Sequence, residues 1–394
     1  MSAVFVINPG GTSKKYALFI SGTAELEAVF ERTDNDFQVC TKDSHKNEEI
    51  KTITKDEYDN ALSEFAAAAT SHAREKGISI DGIGIRILAA GTEFQNHQKI
   101  DDVFVSKLQA KEPTAPLHIP VTLEEIRQCR LLMPGVPLVA ASDTAFFANL
   151  PAIAREYSVA RNDAKEYDLH RFGYHGLSVA SVIDRVHAVT GAEHERMIVC
   201  HIGSGISVTG VRTGQPMYTS AGYSSFTSLP MLTRGGDVDA GVVLELLRLR
   251  HGKYTEVNKY LHYDCGAKAL ADVDDVRILL DRKTQGDSDA AFALDLLSFS
   301  IQKAIAAATV TTGGVDAIIF TGTIGSRSPD LRRLILSRLS YLGCTLDEDK
   351  NNLFLSREGI INQSRSLVKI ATMRTDEMGQ IAHIAAHRIE SKQK

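Results

Sequence analysis

The chain has 394 residues, 43% of them hydrophobic and 24% charged, with a formal net charge of −5. That composition is globular and long enough for about two domains, and it excludes a global basic field of the kind that binds nucleic acid. Five scattered cysteines (Cys40, Cys129, Cys200, Cys265, Cys344) without a CxxC pair exclude a disulfide framework or a cysteine zinc site. They fit a reducing cytoplasm. The first residues lack the basic region and long apolar core of a signal peptide, and no run of ~18 apolar residues suggests a membrane span. A cytoplasmic chain that touches neither membrane nor nucleic acid is expected.

In chain order, Val4, Val6 and Ile7 favour a first strand, and Tyr16, Leu18 and Phe19 a second. Pro9, Gly10 and Gly11 break the run between them. Such a loop fits a plain hairpin, and it equally fits a phosphate cradle, because Gly admits an anion to the backbone and Lys brings charge. It is not a Walker loop, since no GxxxxGK[ST] occurs. Residues 56–76 read as an Ala-rich helix, 82–91 as a buried strand, 121–132 as a helix and 136–142 as a strand. Residues 142–157 leave that strand and start a helix, and Pro151 marks a domain break near 148–152.

The opening unit then recurs. Residues 196–215 repeat a strand, a small-residue turn (Gly203, Ser204, Gly205) and a second strand, and 316–335 give a partial third echo. Ser328-Pro329 reads as an N-cap followed by Pro at the first helical position. Two such units about 190 residues apart suggest two related halves that each offer a turn to a shared cleft. Residues 176–189, 239–251, 288–309 and 376–391 are helical by periodicity; Ser288 and Asp289 start the third, and Gly313-Gly314 lie beyond its end. The result is an α/β chain of two similar lobes.

Several polar residues stand out. Arg86 sits in the apolar run GIGIRILAAG, so it is either a buried structural ion pair or an arginine aimed into a cleft. Arg234, in LTRGGDVD, combines a guanidinium with free backbone N–H groups, which suits a phosphate, or is an exposed loop arginine. His175, in YHGLS, is a cap or core histidine, or a donor to transferring oxygens. Asp143 ends a strand and either serves the next helix or orients a metal-bound water. Leu117 and His118 lie in a Pro-bracketed loop that suits a pocket wall or packing, and Glu377 opens the last helix.

Taken in order, these segments resemble the acetate kinases, short-chain carboxylate kinases of the actin, Hsp70 and sugar-kinase superfamily. The likeness rests on VINPGGTSKKY, GIRILAAG, APLHIP, SDTAF, RFGYHGLS, CHIGSGISV, LTRGGDVD, DVR, FTGTIGSRSPDLR and TDE, nearly the whole chain. It implies two duplicated ribonuclease-H-like (actin-like ATPase) lobes with a cleft between them: residues 1–150 with a C-terminal helix at about 376–394, and residues 151–375. It implies in-line phosphoryl transfer from ATP to acetate, giving acetyl phosphate and ADP, by a homodimer that uses Mg2+ or Mn2+. The resemblance makes Asp143, His175, Arg234 and Arg86 catalytic. It places Arg86, Leu88, Leu117, Tyr174 and Ser225 at the substrate, and Asn8 and Glu377 at the metal. It places Lys15, His201, Gly203, Gly205, Asp275, Val276, Arg277, Gly322, Thr323, Gly325 and Arg327 at the nucleotide.

The chain also departs from the family's pattern. Ile85 and Ala89 replace two histidines beside the first arginine, Ser204 replaces Asn in the Gly-Asn-Gly turn, and Val179 replaces a His. In the acceptor pocket, Leu88 stands for Val, Tyr174 for Phe and Ser225 for Pro. In the nucleotide segment, Thr323 stands for Gly, and Ser326-Arg327 for Glu-Asn. Propionate, butyrate or a hydroxylated acid therefore remain alternative acceptors, and GTP or pyrophosphate alternative donors. A non-catalytic actin-like ATPase is the alternative from another class.

Overall fold

The computed structural model describes residues 2–10, 13–32, 36–45, 47–355 and 357–390. Gly11 and Thr12 of the opening loop, and the residues after Glu390, lie outside these. The chain divides into two units: Met1–Ala145 with Asp376–Lys394, and Phe146–Thr375.

The first unit is built on eight strands: β1 (Ala3–Pro9), β2 (Ser13–Ile20), β3 (Thr23–Arg32), β4 (Phe37–Asp43), β5 (Glu48–Ile53), β6 (Gly82–Ile87), β7 (Gln98–Lys99) and β8 (Leu138–Ser142). Their order is β5-β4-β3-β2-β1-β6-β8-β7. β1 to β3 form an antiparallel meander, while β1 pairs in parallel with β6, and β6 with β8. All of β1 is buried, which explains its unbroken apolar run, as expected of a strand covered on both faces. The C-terminal helix Glu377–Glu390 packs on β1, β6 and β8. Its approach explains the glycines of β6. A Cβ on Gly82 would lie 2.1 Å from Ile389 Cδ1, and one on Gly84 2.7 Å from Ile381 Cγ2. On the other side, Tyr16 joins an aromatic cluster with Phe5, Phe30 and Phe65. Its hydroxyl donates to Glu125 Oε1 at 2.9 Å. Glu125, on the helix Ile119–Leu132, is 4% exposed, and its Oε2 has no hydrogen-bond partner among the described residues.

The second unit has six strands: β9 (Arg196–Ile202), β10 (Ile206–Arg212), β11 (Gln215–Thr219), β12 (Ala317–Thr321), β13 (Gly359–Ile360) and β14 (Lys369–Thr372). Their order is β11-β10-β9-β12-β14-β13. The meander β9 to β11, with β9 parallel to β12 and β12 parallel to β14, repeats the pattern of β1 to β3 with β6 and β8. The duplicated lobe is thus present in the topology. β9 alternates its burial: Ile198, Cys200 and Ile202 pack with the helix Ser288–Thr312, and Met197 and Val199 with Val179, Val182 and Val186 of the helix Gly176–Thr190. Each such aliphatic side chain contributes roughly 1.5–3 kcal/mol when fully buried.

Some expectations are corrected. The 56–76 helix is two, Lys55–Asp59 and Ala61–Glu75, separated at Asn60. The 82–91 strand ends at Ile87. Beyond Ser142 there is a 3-10 segment, Ala145–Asn149, and a single turn, Ala152–Arg155, because Pro151 cannot continue a hydrogen-bonded helix. The long second-unit helix is capped by Asp287, whose side chain accepts from Asp289 and Ala290 N–H groups, and not by Ser288. The third echo stands as expected: β12, parallel to β9, runs into the Gly322 turn, and Ser328 caps the helix Pro329–Leu336 by accepting from Leu331 N–H. The helix Ser288–Thr312 is long and apolar enough to cross a membrane by length and composition, and 56% of its most apolar 18-residue window is buried. A core helix of a large α/β unit carries the same apolar load.

Candidate active site

In the first unit, the ends of three neighbouring strands and the start of the last helix bring four polar residues together. Arg86 leaves β6 with Asp143 beside it on the adjacent strand end, whose N–H donates to the Ile87 carbonyl at 2.8 Å. Arg86 Nη2 donates to Asp143 Oδ2 at 3.1 Å, and Nη1 donates to Asn8 Oδ1 at 3.3 Å. Nη1 also lies 3.8 Å from Glu377 Oε2, which accepts from Asn8 Nδ2 at 2.8 Å. Burial pulls the Arg86 guanidinium down, but Asp143 and then Glu377 outweigh it, so it titrates above its ordinary value. Of the two readings of Arg86, the buried ion pair is present, with Asp143. Its Nε is buried and has no partner among the described residues.

No group of three His, Cys, Asp or Glu able to hold a metal occurs among the described residues. A closed transition-metal cage is therefore a poor fit, whereas Mg2+ takes hard oxygens, one or two carboxylates and a substrate's own phosphates. Asn8 Oδ1, Asp143 and Glu377 supply such oxygens. Lys15 stands opposite Asn8 in the β1–β2 ladder. Leu88 is buried and Leu117 half-buried in the same unit.

In the second unit, His175 precedes the helix Gly176–Thr190 with φ 63°, a left-handed conformation that costs a non-glycine residue about 1 kcal/mol. The strained backbone aims its ring at the turn between β9 and β10. There Gly203 N–H donates to the Gly205 carbonyl at 2.9 Å. A Cβ on Gly205 would lie 2.9 Å from His175 Nε2 and 3.4 Å from Arg234 Nη1. The missing side chain leaves open the point where an imidazole, a guanidinium and the turn converge. His201, at the end of β9, stacks on His175 with centroids 4.1 Å apart and 16° between planes. Arg234 is nearly buried, and its Nη1 donates to the Ser225 carbonyl at 3.0 Å.

Behind Ser225 stands His262, which the sequence did not mark. It is fully buried, and its Nδ1 lies 2.9 Å from the Asn258 carbonyl and its Nε2 3.4 Å from Ser225 Oγ. Burial pushes its imidazole down to about 4, helped by the Arg234 cation and opposed by the Asn258 carbonyl. The neutral ring therefore donates from Nδ1 and accepts at Nε2. Tyr174 turns its hydroxyl onto the Tyr223 carbonyl at 2.7 Å.

The remaining candidates separate. Gly322 follows β12 with φ +79°, and a Cβ there would lie 2.6 Å from the Ile202 carbonyl oxygen. Only glycine lets this turn lie against the end of β9. Gly325 is buried beneath the exposed Thr323 and Arg327. The fully buried Arg332 donates from Nη1 to the Gly325 carbonyl at 2.8 Å and from Nε to Asn351 Oδ1 at 2.8 Å, which fixes this segment from behind. Nothing in composition distinguishes Arg332 from the adjacent Arg333, which pairs with Glu348. Asp275 caps the helix Val276–Thr284 and pairs with Arg277 at 2.5 Å, Val276 is buried, and no hydrogen bond joins these residues to Gly322–Arg327 among the described residues.

The family model of the Acetokinase family matches residues 3–383. An acetate kinase of Caldanaerobacter subterraneus is 31% identical over 390 residues, covering 96% of this chain and 97% of that protein. An acetate kinase of Clostridium novyi is 32% identical over 399 residues, covering 98% of each. Among solved structures, a propionate kinase from Francisella tularensis superposes with a TM-score of 0.86 at 27% identity, covering 98% of this chain and 100% of that one. The acetate kinase of Porphyromonas gingivalis superposes with a TM-score of 0.82 at 25% identity, covering 99% and 100%.

Proposed function

The chain belongs to the acetokinase family, and from that membership we propose that it transfers the terminal phosphoryl group of ATP to acetate. A carboxylate oxygen forms the new P–O bond, the bond to the β-phosphate oxygen breaks, and the products are acetyl phosphate and ADP. The observation that carries this reading is Arg86, held between Asp143 and the Asn8–Glu377 pair with its Nε–H unspent. A fixed planar cation with a spare donor suits a carboxylate or a phosphoryl oxygen.

Phosphoryl transfer needs positioning and charge neutralisation more than covalent chemistry. Arg86 orients the acceptor carboxylate. Arg234 and His175, converging at Gly205, donate to oxygens of the transferring group. Gly203, Gly205 and the Gly322 turn admit donor phosphates to the backbone, with Lys15 as a further cation. Mg2+ or Mn2+ would be held through the oxygens of Asn8, Asp143 and Glu377, and would neutralise phosphate charge. By the family's pattern, Leu88 and Leu117 of the first unit, and Tyr174 and Ser225 of the second, are assigned to the acceptor's apolar end. Acetate is the first acceptor, with propionate within about two orders of magnitude in kcat/KM, because one methylene in such a pocket is worth only ~1–3 kcal/mol.

The test is acyl phosphate trapping with hydroxylamine, using acetate, propionate and butyrate crossed with ATP, GTP and pyrophosphate. Hydroxamate from acetate and ATP is expected. No hydroxamate from any pairing would refute the reading.

A further inference from the structure

Two buried serines each meet one nitrogen of the stacked imidazoles. Ser207 Oγ lies 2.8 Å from His175 Nδ1, and Ser178 Oγ lies 2.8 Å from His201 Nδ1. Ser207 is 1% exposed and Ser178 is 0% exposed. Among the described residues neither hydroxyl has another hydrogen-bond partner. A serine hydroxyl carries one proton, and when buried it must donate it. If the ring nitrogen were the donor, the serine proton would be stranded in the core, with the full desolvation cost of an unmade bond. Each hydroxyl therefore donates to Nδ1, and an accepting Nδ1 leaves the ring proton on Nε2.

The charge state follows from the neighbours. The two rings lie face to face, and the Arg234 guanidinium reaches the same Gly205 turn. An imidazolium carries a proton on both nitrogens and cannot accept at Nδ1, so a ring that accepts from its serine there is neutral.

We infer that Ser207 and Ser178 are positioning residues that hold His175 and His201 as neutral imidazoles protonated at Nε2. The inference rests on the phosphoryl-transfer reading of His175 and deepens it. His175 offers an N–H to a phosphoryl oxygen without adding a charge, and Arg234 supplies a cation at the same turn.

Long-range proton–nitrogen correlation spectra of the full chain, labelled with 15N-histidine near neutral pH, read the tautomers directly. Spectra of His175→Gln and His201→Gln assign the signals. Nδ1 of both rings is expected at the shift of an unprotonated nitrogen and Nε2 at that of a protonated one. Ser207→Ala is expected to mix the His175 tautomers and to lower kcat about tenfold, the value of one orienting hydrogen bond. The carboxylate KM is expected to stay within about twofold, since ground-state binding is untouched. Ser207→Thr is expected to restore both spectrum and kcat. A protonated Nδ1 in wild-type His175 would overturn the inference, as would an unchanged kcat in Ser207→Ala with mixed tautomers. If Ser207→Ala does not fold, the wild-type spectrum alone decides. That spectrum needs no turnover, so an absence of acyl phosphate formation would count against the enzyme reading and not against the tautomers.

Discussion

Replacing Glu125 by Gln should flatten the pH dependence of stability. Burial pushes the Glu125 carboxyl up to about 7; the Tyr16 hydroxyl and the Lys14 charge oppose that rise, and Glu124 adds to it. The ordinary value is 4.5. Between the two, the folded chain holds a proton that the unfolded chain has released. Stability is therefore highest below the unfolded value and falls as pH rises through about 7. At about 1.4 kcal/mol per unit the loss comes to about 3 kcal/mol. The glutamine keeps an oxygen for Tyr16, and its amide group replaces the unpartnered Oε2. Burying that amide costs the same at every pH, so it offsets the curve without tilting it. The assay is urea unfolding of both proteins between about pH 5 and pH 8, followed by far-ultraviolet circular dichroism, because the chain has no Trp. The wild type should lose most of that 3 kcal/mol relative to the variant. Two curves that stay parallel to within about 0.5 kcal/mol, the scatter of an ordinary surface change, would refute the argument.

Two further expectations concern the site. Gly205→Ala places a methyl group 2.9 Å from His175 Nε2 and 3.4 Å from Arg234 Nη1; hydroxamate formation should fall on the order of 10²-fold, as when one electrostatic donor is lost, with thermal unfolding little changed. Arg86→Met removes the cation paired with the fully buried Asp143, which should cost about 3–5 kcal/mol in denaturant unfolding; adding Asp143→Asn should return part of it, and an additive double variant would show that the pair does not couple.

What the sequence disclosed follows from how local each signal is. β1 and β2 were legible because their apolar runs are continuous, and Arg86 because a lone charge in such a run has few explanations. β3 to β5 were not, since TAELEAVFER, inside the sheet, and EEIKTI, at its edge, carry charges on partly exposed strands and show no clean alternation. Asn60 looked like one polar residue on a helix surface, and only the observed dihedrals mark it as a break. Ser207 and His262 escaped because their meaning lies in partners 32 and 37 residues away. The polar positions of GISVTGV were the one available hint: a serine two residues after Gly205 shares that glycine's face of the strand.

The packing of Glu377–Glu390 against β1, β6 and β8 sets an order of assembly during synthesis. Asn8 leaves the ribosome 369 residues before its partner Glu377. Until then Gly82 and Gly84 present an uncovered seam of sheet, and Arg86 lacks one of its two carboxylates. The second unit, contiguous from Phe146 to Thr375, has its whole core in hand earlier. A growing chain therefore passes through a stage in which its middle is folded and its beginning is not. At that stage the side chains of Asn8 and Glu377 cannot meet, so nascent chains released early should gather as inactive species with a protease-resistant interior and a susceptible amino-terminal third.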